Sequence, residues 1–162
     1  MITLIIVITV LFFGFVIIFG APWLPTLKRQ VDQAIDLFDL PEGKTILDLG
    51  CGDGRVLRRM AQRGYKAVGY ELNPIMYLLA KMTTWRYRAQ IRVYFGDYLK
   101  KDWPKADGIY VFLIDRFMPR LETSINEYIK ENGPVTLVSN TFKVPGRKIL
   151  KKHGSLYLYR YE

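Results

Sequence analysis

At 162 residues the chain has room for one domain with at most an appendage. A single cysteine, Cys51, excludes an intramolecular disulfide, and with a single histidine, His153, a zinc or iron site lacks soft ligands, so metal catalysis drops out. The formal charge of +9 suits an anionic partner, either nucleic acid or an acidic lipid surface.

From Ile2 to Phe19 there is no charged residue, and with Gly20 to Leu24 the run is long enough for a hydrocarbon core of roughly 30 Å. Nothing basic precedes it, and Pro22 follows Ala21 where a signal peptide would be cut, so residues 1–24 read as a retained single-pass anchor. Lys28 and Arg29 are the first charges beyond it and assign that flank, with the domain behind it, to the cytoplasm. The stiff segment APWLPT then leads into a junction helix within residues 25–40. Thr26 is its predicted cap, and Leu27, Val31, Ala34, Ile35 and Phe38 form its apolar face.

Residues 41–162 alternate. The pattern predicts strand 45–49, helix 53–62, strand 66–71, helix 74–87, strand 91–95, strand 108–114, helix 116–130 and strand 135–140. Alternation of this kind implies a Rossmann-like, doubly wound α/β sheet, seven-stranded and mostly parallel, with helices on both faces. The tail alternates differently: Ile149 and Leu150, a His-Gly turn, then Leu156 and Leu158 interleaved with Tyr157 and Tyr159 predict a closing hairpin at the sheet edge.

The chemistry concentrates in ILDLGCGDGR, residues 46–55: an apolar strand, then glycines 50, 52 and 54, with Asp48 and Asp53 flanking the turn. A glycine turn after the first strand of such a sheet lies where ligands settle. Dinucleotide and P-loop patterns do not fit it, and carboxylates beside the turn repel phosphate. They suit a ligand bearing an ammonium and a sulfonium, which describes S-adenosylmethionine. Glu71, ending the second strand, is placed for ribose hydroxyls, and Asp97, after the third, for an adenine amino group. Cys51 has no histidine nearby to activate it and fits a small packing position.

These segments, with YELNP and GDYL, resemble the cofactor motifs of class I S-adenosylmethionine-dependent methyltransferases. With the apolar N-terminus, APWLPT, Trp85-Arg86 and FMPRLE, residues 21–145 resemble the small membrane-anchored protein-lysine methyltransferases that act on the ATP synthase c subunit and the adenine nucleotide translocase. The resemblance implies S-adenosyl-L-methionine as cofactor, held by Asp48, Gly50, Cys51, Gly52, Glu71, Leu72, Asp97 and Tyr98, with Pro25-Thr26 near its methionine end. Many amino-group methyltransferases carry an Asn/Asp-Pro-Pro-aromatic motif after the fourth strand; here the sequence is Phe112-Leu-Ile-Asp115-Arg-Phe. Asp115 is the candidate for orienting an amine, set against a plain helix cap. Trp85, Tyr98, Trp103, Tyr110 and Phe142 are candidates for an aromatic pocket. With no room left for a recognition domain, the expected acceptor is a membrane-protein lysine. Lys143, Arg147, Lys148, Lys151 and Lys152 form a basic segment able to press on anionic headgroups. A lipid or quinone-like small-molecule acceptor is one alternative and an RNA-binding or RNA-modifying protein another; the anchor and the absence of an aromatic-basic RNA motif count against nucleic acid.

Overall fold

A computed structural model describes residues 2–3 and 28–162. The expected anchor and the Pro25-Thr26 segment lie outside the described residues, apart from Ile2 and Thr3. Among the described residues no helix is long and apolar enough to cross a membrane.

Seven strands form one sheet: β1 (Thr45–Leu49), β2 (Lys66–Glu71), β3 (Ile91–Phe95), β4 (Gly108–Val111), β5 (Val135–Asn140), β6 (Lys151–His153) and β7 (Leu156–Tyr161), in the order β3-β2-β1-β4-β5-β7-β6. The first five are parallel, whereas β7 runs antiparallel to both β5 and β6. The sheet is therefore mixed rather than simply parallel. A short turn at Gly154 joins β6 to β7 as an edge hairpin, because antiparallel neighbours need no crossover.

The helices are α1 (Lys28–Phe38), α2 (Arg55–Gln62), α3 (Pro74–Thr84) and α4 (Met118–Asn132). Period-2 alternation sends successive strand residues to opposite faces, giving two cores. Ile46, Ala67, Tyr110 and Val138 meet Val31 and Ile35 of α1 and Leu57 and Met60 of α2 on one face. Leu47, Ile109, Leu137 and Tyr159 meet Leu121, Ile125 and Tyr128 of α4, with Trp103, on the other. Ion pairs from Asp32 to Arg59 and from Asp36 to Arg63 tie α1 to α2.

Several predicted boundaries shift, three of them for a visible reason. The fourth strand stops at Val111, since its partners there are Leu49, the last residue of β1, and Ser139, next to last in β5. The third helix ends at Thr84, followed by a 3-10 turn over Trp85–Tyr87. Its last residues Thr83 and Thr84 both return their hydroxyls to the carbonyl of Ala80, a local bond that competes with continued winding. The fourth predicted helix begins as a 3-10 turn over Asp115–Phe117 and becomes α-helical at Met118, with Pro119 in its first turn.

Candidate functional site

The strand order reverses between β1 and β4, and the carboxyl ends of these two strands frame the site. Beyond Leu49 the chain turns on Gly50, Gly52 and Gly54, whose φ values of 94°, 54° and 76° are left-handed and strained for any residue with a Cβ. Backbone bonds fix the turn: the amides of Gly50 and Cys51 both donate to the Tyr70 carbonyl at 2.9 Å, and the Gly54 amide donates to the Cys51 carbonyl.

Glu71 is the other half of this frame. Its Oε2 accepts from the Gly52 amide and its Oε1 from the Asn73 amide, each at 2.8 Å, so one carboxylate bolts the glycine turn to the start of α3. Asn73 in turn caps α3, its Oδ1 accepting from the amides of Ile75 and Met76 ahead of Pro74. Burial pushes the Glu71 carboxyl up against the opposing effect of these amide bonds. Leu72, half-buried, links the two anchors.

Asp48 lies one strand in from Glu71 and is 2% exposed. Its Oδ2 is buried without a hydrogen-bond partner, although buried polar atoms almost always have one. Burial first, then the neighbouring charges of Glu71 and Asp53, push its carboxyl well above the ordinary carboxylate range. A group bringing an N–H donor and positive charge would satisfy this atom, and a phosphate would not. That orphaned acceptor, and the left-handed glycine turn beside it, fit a cationic amino-acid ligand.

Asp53, expected to share this acidic rim, keeps its charge there but has its oxygens taken up by Arg55. Arg55 donates to it from its backbone amide, Nε and Nη2, at 3.2, 3.0 and 2.9 Å to the nearest oxygens. Burial opposes ionisation of Asp53, but the Arg55 bonds outweigh it and the carboxyl is held low. Cys51 is spent on packing, as its sequence position suggested. A Cβ placed on Gly69 would stand 2.7 Å from the Cys51 sulfur, and burial pushes the thiol up, away from nucleophilic use.

Asp97 and Tyr98 follow β3. The Asp97 Oδ1 accepts from the Leu99 amide at 3.0 Å, capping the 3-10 turn Tyr98–Lys100. Tyr98 packs on the α4 face, where its carbonyl accepts from the Trp103 indole at 2.9 Å and burial pushes its phenol up. Asp115 is exposed after β4 and lies inside the 3-10 turn, with Ile114 in the cap position, so it is not the helix cap.

The expected aromatic pocket does not assemble. Tyr110 belongs to the α1 face, Tyr98, Trp103 and Phe142 belong to the α4 face, and Trp85 is exposed. Trp103 instead joins Tyr70, Tyr94 and Phe95 around a hollow of about 480 Å³ at the β3 edge.

Two residues outside the cofactor motifs adjoin Asp48 from the neighbouring strands. Tyr110 pairs in register with Asp48, and its hydroxyl accepts from Asn140 Nδ2 at 3.2 Å. Asn140, fully buried at the end of β5, accepts from Thr141 and Ser155 hydroxyls, and Thr141 sits at φ 72°. The signal was a lone carboxamide closing the apolar strand VTLVSN.

The family model of the ANTKMT methyltransferase domain matches residues 48–151. The Rattus norvegicus lysine N-methyltransferase named for the ATP synthase c subunit is 31% identical over 114 residues, 69% of this chain and 52% of the rat protein. A protein-lysine N-methyltransferase of Saccharolobus islandicus is 25% identical over 150 residues, covering 85% of this chain and 92% of the archaeal one. An RNA methyltransferase from Salinibacter ruber, solved with S-adenosyl-L-homocysteine, superposes with a TM-score of 0.77 at 25% identity, covering 85% and 92%. The chain spans about half the length of the first curated relatives it matches.

Proposed function

The chain belongs to the ANTKMT methyltransferase family, and from that premise we propose that it is an S-adenosylmethionine-dependent protein-lysine N-methyltransferase acting on a membrane protein. The observation that carries this reading is the partnerless buried Oδ2 of Asp48 beside the left-handed glycine turn. When bound, S-adenosylmethionine supplies an electrophilic methyl group on a sulfonium. Asp48 would take its ammonium, gaining the missing donor and the countercharge that favours ionisation. Glu71 has lone pairs beyond those given to Gly52 and Asn73, and these would accept ribose hydroxyls. Asp97 would serve the adenine end, and the backbone of Gly50, Cys51 and Gly52, with Leu72 and Tyr98, would line the bed.

An acceptor amine must arrive neutral, with its lone pair aimed at the methyl carbon; the bond to sulfur breaks as the bond to nitrogen forms, and the nitrogen releases its proton. Alignment in a dry cleft supplies roughly 7 to 11 kcal/mol of such a barrier. Tyr110 and Asn140, both fully buried, would brace Asp48 from the neighbouring strands, and Asp115 stands at the exposed rim for orienting the amine. The relatives named for lysine methylation support the acceptor, and the uncharged run from Ile2 to Phe19 supports membrane anchorage with the domain on the cytoplasmic side.

One observation favours a second reading: the Salinibacter structure, covered over 92% of its length, is an RNA methyltransferase, and a charge of +9 suits RNA. Incubating the full chain with methyl-labelled cofactor, membranes and total RNA separates the two. The lysine reading predicts label recovered as methyl-lysine after protein hydrolysis. Label confined to RNA, or to a lipid extract, would contradict it.

A further inference from the structure

Helix α3 is packed inside out. It buries only Ala80 and Thr84, and these small residues let it lie so close to the glycine turn that a Cβ on Gly54 would stand 2.8 Å from Thr84 Cγ2. Apart from Tyr77, which packs against the core, its large apolar residues point the other way. Ile75, Leu78, Leu79, Met82 and then Trp85 recur at the three- and four-residue spacing of one helical face, and all five are exposed, Leu78 at 60%, Met82 at 75% and Trp85 at 63%. Phe95, exposed at the end of the edge strand β3, extends the patch, its ring lying 5.4 Å from that of Tyr77 on α3.

Charge tells what covers this surface. Between Glu71 and Asp97 there is no carboxylate, while Lys81, Arg86, Arg88 and Arg92 are all present and exposed. Arg88 lies 4.7 Å over the Trp85 ring, an aromatic with a cation at the end of an apolar stripe. An apolar stripe in a segment whose only charges are cations, ending in a tryptophan, is the composition of a surface that lies in an anionic lipid interface, and Asp102 comes near it only at the Phe95 end. The opposite sheet edge has the contrary character: Lys151, Lys152 and His153 of β6 are exposed and charged or polar, the usual guard on an edge meant to stay in water.

We propose that the outer face of α3, with the adjoining end of β3, is a lipid-docking surface for anionic membranes, distinct from the apolar N-terminal run. The proposal rests on the membrane-protein reading above and deepens it. Because α3 starts at Pro74, three residues past Glu71, docking would hold the glycine turn at the bilayer surface, within reach of an acceptor lysine there.

The test uses Trp85 as its own probe. Full-length chain and Trp85→Phe are mixed with vesicles of phosphatidylcholine and phosphatidylserine whose acyl chains are brominated, and the difference in emission isolates Trp85 from Trp23 and Trp103. The expected result is quenching of the Trp85 component that falls at least about fivefold on vesicles of phosphatidylcholine alone. The exposed double substitution Leu78→Ser with Met82→Ser should reduce it similarly, monitored through Trp85. An unquenched Trp85 in protein that still floats with the vesicles would overturn the proposal, because the N-terminal run alone would then hold the chain. Concentration-dependent shielding of Trp85 without vesicles would also overturn it, in favour of a second copy on this face. No methyl transfer is measured, so failure of the lysine reading and failure of the docking surface give different results.

Discussion

Asp48 shows how a sequence motif and its physical role can differ in emphasis. The motif marked it as a charge, yet its burial favours the neutral form until a cation arrives. Its folded carboxyl titrates above the unfolded one, so the native state binds the extra proton between the two values and stability falls as pH rises through that window. Asp48→Asn should therefore flatten the decline in melting temperature from pH 5 to pH 8 and raise it at the upper end, as thermal melts without ligand would register; an unchanged slope would contradict this. Glu71 was legible as a strand-end acid, but its clamp on Gly52 and Asn73 was not, since nothing in a linear string says which amides a carboxylate meets. Glu71→Ala should weaken binding of S-adenosylhomocysteine by at least about tenfold, the scale of a lost charge-assisted hydrogen bond of ~1.5 to 3 kcal/mol. The pairing of Asp53 with Arg55, two residues away, was open to inspection and alters the count of free acids at the rim.

Among the elements, β1, β2, β3 and β5 begin and end where the sequence pattern places them, because each is a short run bounded by turn residues, whether central and buried or, like β3, at an exposed edge. The end of β4 escaped, since Phe112 to Ile114 continue the apolar run and only the end of β1 stops the pairing. The close fit of β2 to the glycine turn was equally invisible: Gly69 reads as a weak strand residue until Cys51 and Leu57 are seen against it. An alanine Cβ there would sit 2.6 Å from Leu57 Cδ1, so Gly69→Ala should cost about 1 to 3 kcal/mol in a denaturation experiment and displace the turn. Stability equal to that of the parent chain would show that the turn yields without strain.

Over the whole molecule, the tail hairpin is locked to α4 by Glu122, which accepts from Arg147 Nε and Nη2 at 2.9 and 2.7 Å and from the Tyr161 hydroxyl. Arg147, expected among the lipid-facing cations, is thus engaged inside the fold, stacked 3.7 Å over the Tyr161 ring. Glu122→Ala should lower unfolding free energy by about 1 to 3 kcal/mol while changing cofactor affinity less than about twofold, since the network lies on the face away from Asp48. The acidic glycine turn remains the feature on which the assignment of function depends. Calorimetric titration of the full chain and Asp48→Asn with S-adenosylhomocysteine probes it without any acceptor present: saturable binding is expected, weakened at least about tenfold in the variant. Undiminished affinity in Asp48→Asn, or binding of ATP or NAD in place of S-adenosylhomocysteine, would refute it.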